Sequence, residues 1–177
     1  MLSIFIGFIL NYNIAGADAN GVELDFGLQR PVGGFTARAS YALVDTEVVA
    51  TTSTSEQFRP GQPLLRRPKH AGTFHVNYTR GPASVHFNLR AVSERHDAAF
   101  AGLFRPPAPG SFFGDAVDIT VNPGYTLIGV GGQFLVDDDL TIFLRLDNLT
   151  DEVYESTLGY PALPRAFVIG ARFNIGG

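Results

Sequence analysis

The sequence predicts an all-β protein, an antiparallel transmembrane β-barrel segment of about eight strands with short periplasmic turns and long extracellular loops. Three observations predict it. Apolar residues recur at every second position in one stretch after another, and none of those positions is charged. Short and long connections alternate strictly between the stretches. The composition, with 20 Gly, 15 Phe and 6 Tyr in 177 residues, favours pleated strands and turns, and no stretch has a convincing helical period.

The opening run Met1 to Leu10 imitates a signal peptide, with Ala17-Asp18-Ala19 behind it as a cleavage site, but it has no basic n-region. Ten residues are too few for a transmembrane helix. The run reads as a strand.

Strict alternation then sets the elements in order. Val22, Leu24, Phe26 and Leu28 alternate with Glu23, Asp25, Gly27 and Gln29; Phe35, Ala37, Ala39, Tyr41 and Leu43 alternate with Thr36, Arg38 and Ser40. Phe74, Val76 and Tyr78 stand against Thr73, His75, Asn77 and Thr79, and Val85, Phe87, Leu89 and Ala91 against Ser84, His86, Asn88 and Arg90. Ile128, Val130, Gly132, Phe134 and Val136 follow, then Ile142, Leu144 and Leu146. The last strand puts Phe167, Ile169, Ala171, Phe173 and Ile175 on one parity and Val168, Gly170, Arg172 and Asn174 on the other. A period of two gives each strand one apolar and one wetter face. An uncharged apolar face suits lipid, where a midplane Arg or Lys costs about 2 to 4 kcal/mol.

A soluble β-sandwich would alternate too, so the connections decide. Arg30 to Gly34, Arg80 to Ala83 and Asp137 to Asp139 are short, whereas Thr46 to Arg67, Arg95 to Gly124 and Leu149 to Pro164 are long. A sandwich has no reason to keep its long loops at one end; a membrane barrel does. Outward aromatics near strand ends read as two partial girdles, Phe35, Tyr78, Phe134 and Phe173 on the short-turn side and Tyr41, Phe74 and Phe167 on the other. Pro106-Pro107-Ala108-Pro109-Gly110 reads as a rigid loop segment.

Composition narrows the function. A net charge of −4 argues against nucleic acid as a partner, and zero cysteines exclude disulfides, thiolate metal sites and cysteine nucleophiles. His75 and His86 take inward parity on adjacent strands, while His70 and His96 fall near the outer loops. No carboxylate or histidine accompanies them at metal-ligand spacing, so neither a metal site nor a cofactor is expected. The inward polar residues His75, His86, Arg90, Arg145, Asp147 and Arg172 read instead as a lumen-facing network: Asp147 and Arg145 face inward with Arg172 on the neighbouring strand, and a lumen ion pair is the expected use of such charges. Asp137-Asp138-Asp139 lacks the Gly and distal Glu of a calcium loop and reads as a hairpin turn. Ser, His and Asp occur without a Gly-x-Ser-x-Gly elbow or an ordered triad, so the chain is not expected to be an enzyme.

The C-terminal stretch carries a resemblance. Leu146-Asp147-Asn148-Leu149-Thr150-Asp151-Glu152-Val153-Tyr154, then Gly159-Tyr160-Pro161, then Arg165 opening an alternating final strand, resembles the C-terminal signature of TonB-dependent outer-membrane receptors. The residues carrying it are Asn148, Leu149, Asp151, Tyr154, Gly159, Tyr160, Pro161, Arg165 and Phe173. Thr150 stands where that family usually has an aromatic, and Ile175-Gly176-Gly177 replaces the usual terminal aromatic. Arg66-Arg67-Pro68-Lys69-His70, Pro123-Gly124-Tyr125-Thr126 and the passage from Asn13 to Leu24 are similar to earlier strand openings of the same family.

The resemblance implies residence in the bacterial outer membrane and a part in TonB-powered import of iron-siderophores, cobalamin or similar nutrients. It also implies that residues 1–177 are the C-terminal part of a receptor barrel, without the family's plug domain or TonB-contacting box. On that reading Met1 is an internal start, the partners are outer-membrane lipid and the missing N-terminal barrel and plug, TonB is reached only through that missing portion, and the nutrient chelate is a substrate of the full receptor. The segment alone is then not expected to transport. Two rivals stay open at this point: a self-closing eight-stranded outer-membrane barrel with a structural or adhesive role, and a soluble lipocalin-like binding barrel.

Overall fold

A computed structural model of the chain describes residues 2–9, 16–51, 59–98 and 119–174. The Pro106 to Gly110 segment, residues 10–15 and Ile175 lie outside the described residues. Among the described residues there are twelve strands: β1 (Leu2–Ile9), β2 (Ala17–Val32), β3 (Phe35–Val48), β4 (His70–Arg80), β5 (Ala83–Val92), β6 (Arg95–Ala98), β7 (Ile119–Asn122), β8 (Tyr125–Leu135), β9 (Leu140–Asp147), β10 (Glu155–Thr157), β11 (Tyr160–Pro161) and β12 (Ala166–Phe173). The described residues contain no helix.

Eight strands build one antiparallel meander in the order β1-β2-β3-β4-β5-β8-β9-β12. The order is linear, with β1 and β12 at its edges, so the self-closing barrel is not realised among the described residues. Two of the long connections are not plain loops: β6 pairs with β7, and β10 with β11, as two-stranded extensions beyond the sheet.

The short turns explain themselves chemically. Val32 pairs with Phe35 across Gly33 and Gly34, whose φ values of 57° and 88° match the two left-handed positions of a two-residue hairpin turn. Asp137 Oδ1 accepts hydrogen bonds from the Asp139 and Leu140 amides, at 2.9 and 2.8 Å, which is how a side chain closes an Asp-led turn.

Register keeps one parity together across the sheet. Leu28, Ala37, Val76, Phe87, Val130, Leu146 and Phe167 form one continuous apolar row through seven strands. A one-residue slip anywhere would turn a strand's apolar set into the polar wall, so the pattern itself pins the register. Phe74, fifth in β4 opposite Ala39 and Leu89, and Tyr41, seventh in β3, depart from the girdle reading because they sit in mid-strand rather than at an end.

This is an inside-out protein. The hydrophobic side chains buried among the described residues are Val48, Ala98 and Tyr125, all at the long-loop end, while Phe167 and Ile169 on the apolar face are 62% and 67% exposed. Such a face is stable only in an apolar solvent. Charges bracket it. Asp45 lies ten residues beyond Phe35, and Arg80 two residues beyond Tyr78, the partner of Phe35. That separation is about 40 Å along a strand, or about 30 Å vertically at a tilt near 40°, which accommodates the ~25 Å apolar band of an outer-membrane barrel.

Candidate functional site

The other face is a polar wall. Arg38 pairs with Asp25 at 3.2 Å, Ser40 and Thr73 share a hydrogen bond of 2.7 Å, and Ser84 donates to Asn77 Oδ1 at 2.9 Å. His75 Nδ1 lies 2.5 Å from Asn88 Oδ1; a carbonyl oxygen only accepts, so Nδ1 carries the proton and donates. The His75 and His86 rings stack with centroids 6.4 Å apart. His86 lies against Gly131, where a Cβ would come within 2.6 Å of its Nε2. Phe143 covers Gly170 in the same way. Aromatic rings laid over strand glycines restore packing that the missing side chain gives up.

Each residue assigned to the lumen wall has a definite place. His75, His86 and Arg90 stand on β4 and β5, facing Asn88, Asn77 and Thr73 in register. Arg145 and Asp147 are paired at 2.9 Å, two residues apart on β9. Arg172 does not join them. Its partner across β9 is Thr141, four residues from Arg145, so strand direction places it at the opposite end of β9 from Asp147. Among the described residues no group of three His, Asp or Glu could hold a metal ion.

The C-terminal signature acts as a set of staples. Asn148, left-handed at φ 51° and buried, accepts from the Glu152 amide and donates to the Glu152 carbonyl, both at 2.9 Å, which closes a tight loop. The Leu149 amide reaches back to Ile128 O on β8 at 2.7 Å. Asp151 accepts from the Arg165 amide at 2.9 Å and pairs with its guanidinium at 3.5 Å, fixing the point where β12 starts. Tyr154 packs on Tyr125 with ring centroids 4.4 Å apart. Gly159, at φ 84°, donates to Glu155 Oε2, and Tyr160 and Pro161 pair with Thr157 and Glu155. Phe173, opposite Leu140, is on the apolar face at the short-turn end.

Sequence reading passed over the densest polar cluster, which lies at the base of the long loops. Asp97 is fully buried. Its Oδ1 accepts from Arg66 Nε and the Ala98 amide, both at 2.8 Å, and its Oδ2 from the Leu158 amide at 2.8 Å and Asn122 Nδ2 at 3.4 Å. Burial alone would raise its carboxyl pKa, but these four donors outweigh it and hold the value at about 2. Arg95 donates to Glu155 O and Ser156 O at 2.6 and 2.8 Å and lies 5.6 Å from the Tyr125 ring. Three long connections thus meet at one carboxylate and one guanidinium. The available signal was weak: Arg95-His96-Asp97 breaks the apolar alternation directly after β5.

Known proteins share the sequence pattern and the fold of this chain. A family model described as "TonB dependent receptor-like, beta-barrel" matches residues 4–149. The vitamin B12 transporter BtuB of Vibrio cholerae serotype O1 is 42% identical over 52 residues, which is 29% of this chain and 8% of that protein. Two solved structures superpose on 89% of the chain: the ferric-catecholate import receptor Fiu from E. coli K12, with TM-score 0.68, 18% identity and 21% of its length covered, and the siderophore receptor PiuA from Acinetobacter baumannii, with TM-score 0.70, 16% identity and 22% covered. At such identities the superpositions speak for the fold alone, and the chain spans about a fifth of either receptor. Strand order, lipid-facing register, alternating loop lengths and a match across most of its length agree on a Gram-negative outer-membrane protein: the chain belongs to the TonB-dependent receptor β-barrel family.

Proposed function

We propose that residues 1–177 form the C-terminal part of the barrel wall of an importer for metal chelates or cobalamin-type nutrients, and that this part does not transport by itself. The observation carrying the proposal is the linear eight-stranded meander with β1 and β12 as edges. Unpaired backbone at a sheet edge is costly against lipid, because each unsatisfied group costs several kcal/mol there; other strands of the same wall are the natural cover, and in the chain on its own the two edges can pair with each other or with those of a second copy. The polar inner face then lines a lumen, and the Asp97 cluster fixes the bases of the loops that meet arriving nutrient. TonB would act on parts of the receptor other than this wall. His75, His86, Arg90, Arg145, Asp147 and Arg172 are assigned to the lumen lining, and the Asn148 to Arg165 set to holding the last loop.

The test is uptake of labelled siderophore or cobalamin in a strain lacking its own receptor, with the chain expressed alone and its presence in the outer-membrane fraction verified. No uptake above the empty-vector level is expected. TonB-dependent uptake by the chain alone would overturn the wall-segment reading.

A further inference from the structure

The apolar face has a groove of about 480 Å³ near its short-turn end. Gly132 creates it, because the register puts a residue without a side chain between Val85 on β5 and Leu144 on β9. Phe35 and Tyr78, with ring centroids 4.4 Å apart, wall one side. Val85 and Leu144 are 54% and 46% exposed, so nothing among the described residues covers the groove.

Just beyond it stands the cation that brackets this face. Arg80 is two residues past Tyr78 on the same parity, about 7 Å nearer the short turns, and is exposed. Among the described residues it has no ion pair. The neighbouring β8–β9 turn carries Asp137, Asp138 and Asp139, and Asp137 directs Oδ1 into its own turn. An acyl-sized apolar trough, an aromatic pair at its mouth, a cation above that pair and carboxylates one hairpin away match a lipid with both charges in its headgroup. A long Arg stem reaches toward the headgroup level without exposing its charge to hydrocarbon, and its guanidinium suits phosphate.

We propose that this groove and Arg80 bind a glycerophospholipid of the periplasmic leaflet with a phosphoethanolamine headgroup. One acyl chain lies over Gly132, the phosphate meets Arg80, and the ammonium faces the acidic turn, which disfavours a purely anionic headgroup. The site rests on the membrane placement of the chain but not on what the receptor transports.

The test reconstitutes the full chain in vesicles of equal phosphatidylethanolamine and phosphatidylglycerol, extracts it in mild detergent, and counts retained lipid by native mass spectrometry. About one phosphatidylethanolamine per chain is expected, in preference to phosphatidylglycerol. Arg80→Ala should cut retention about tenfold, as for loss of one charge-assisted hydrogen bond. Gly132→Leu and Val85→Phe fill the trough from opposite sides and should each abolish it; the second leaves the glycine backbone intact should the first misfold. Arg90→Ala, on the lumen wall, should change nothing. Retention insensitive to Arg80→Ala or to Val85→Phe, or no preference between the two lipids, overturns the site. Failure of the chain to enter vesicles at all would instead count against the membrane placement.

Discussion

Arg66, at the foot of the β3–β4 connection, holds its Nε 2.8 Å from Oδ1 of Asp97 in β6, and the two ends of this pair live in different surroundings. The Asp97 side chain has no exposed surface, whereas that of Arg66 is 40% exposed. The acid is therefore fixed by protein donors from three segments, while the base keeps contact with water. Removing the base leaves Asp97 its other donors; removing the acid strands several of them at once.

Asp97→Ala should accordingly loosen the long connections as a group. The Leu158 and Ala98 amides lose their acceptor and Arg66 its counterion. Deleting one member of a buried pair costs about 3 to 5 kcal/mol. The exposure of Arg66 lets water compensate in part, so a loss of about 2 to 3 kcal/mol is the expectation. Hydrogen exchange at the Leu158 amide in the refolded chain measures it. Unchanged protection there would mean that the cluster does not hold the loops.

The same carboxylate sets an acid limit. Its folded pKa of about 2 lies below the ordinary 3.8, so the stabilisation is complete above the higher value and disappears as pH falls through the lower one. A depression of this size corresponds to about 2 kcal/mol. The unfolding temperature of the native chain should approach that of Asp97→Asn as pH drops from about 4 to about 2, with the two well separated at pH 7. Parallel curves across the whole range would rule out this linkage.

Two glycines should respond unequally to the same substitution. At Gly124 a Cβ would meet backbone, with Val92 O at 2.7 Å and the Glu94 amide nitrogen at 2.9 Å, where the β6–β7 extension leaves the sheet. At Gly170 it would meet the far end of the Phe143 side chain, which can give way more easily than backbone. Gly124→Ala should therefore cost about 1 to 3 kcal/mol, in the range of other overpacking changes, and Gly170→Ala clearly less. Denaturant midpoints in detergent would separate them, and equal shifts would contradict the contrast.

The sheet was legible in the sequence because its physics is periodic. Val22 to Leu28, Phe35 to Leu43 and Phe167 to Phe173 each declare a lipid face by parity alone, and their pairings follow once the Gly33-Gly34 and Asp137 turns fix the hairpins. The loop-end hairpins were not legible. Ile119–Asn122 and Glu155–Thr157 are too short for a period to register. The Asp97 cluster joins residues 31 and 61 positions apart, and nothing local to Arg66 or Leu158 announces that partner. Arg172 shows the same limit: parity gives its face, but only register shows which end of β9 it meets.

Leu144 and Arg145 test the faces directly, since they are adjacent in sequence and opposite in environment. Leu144 lies on the apolar face between Gly132 and Ile169, 46% exposed to what would be lipid, and Arg145 lies on the wall, paired with Asp147 at 2.9 Å. Leu144→Arg puts a guanidinium on the lipid side, where the cost runs to about 2 to 4 kcal/mol at the midplane and shrinks toward the interfaces. Arg145→Leu removes an ion pair whose side chains are 57% and 48% exposed, and such pairs contribute about 1 kcal/mol or less. The yield of folded protein in lipid vesicles should fall steeply for the first variant and little for the second. In a detergent whose micelle lets the arginine reach water the gap should narrow, because the penalty belongs to the hydrocarbon and not to the strand. Equal losses in vesicles would reverse the assignment of the two faces on β9, and with it the register that ties β8 and β12 to it.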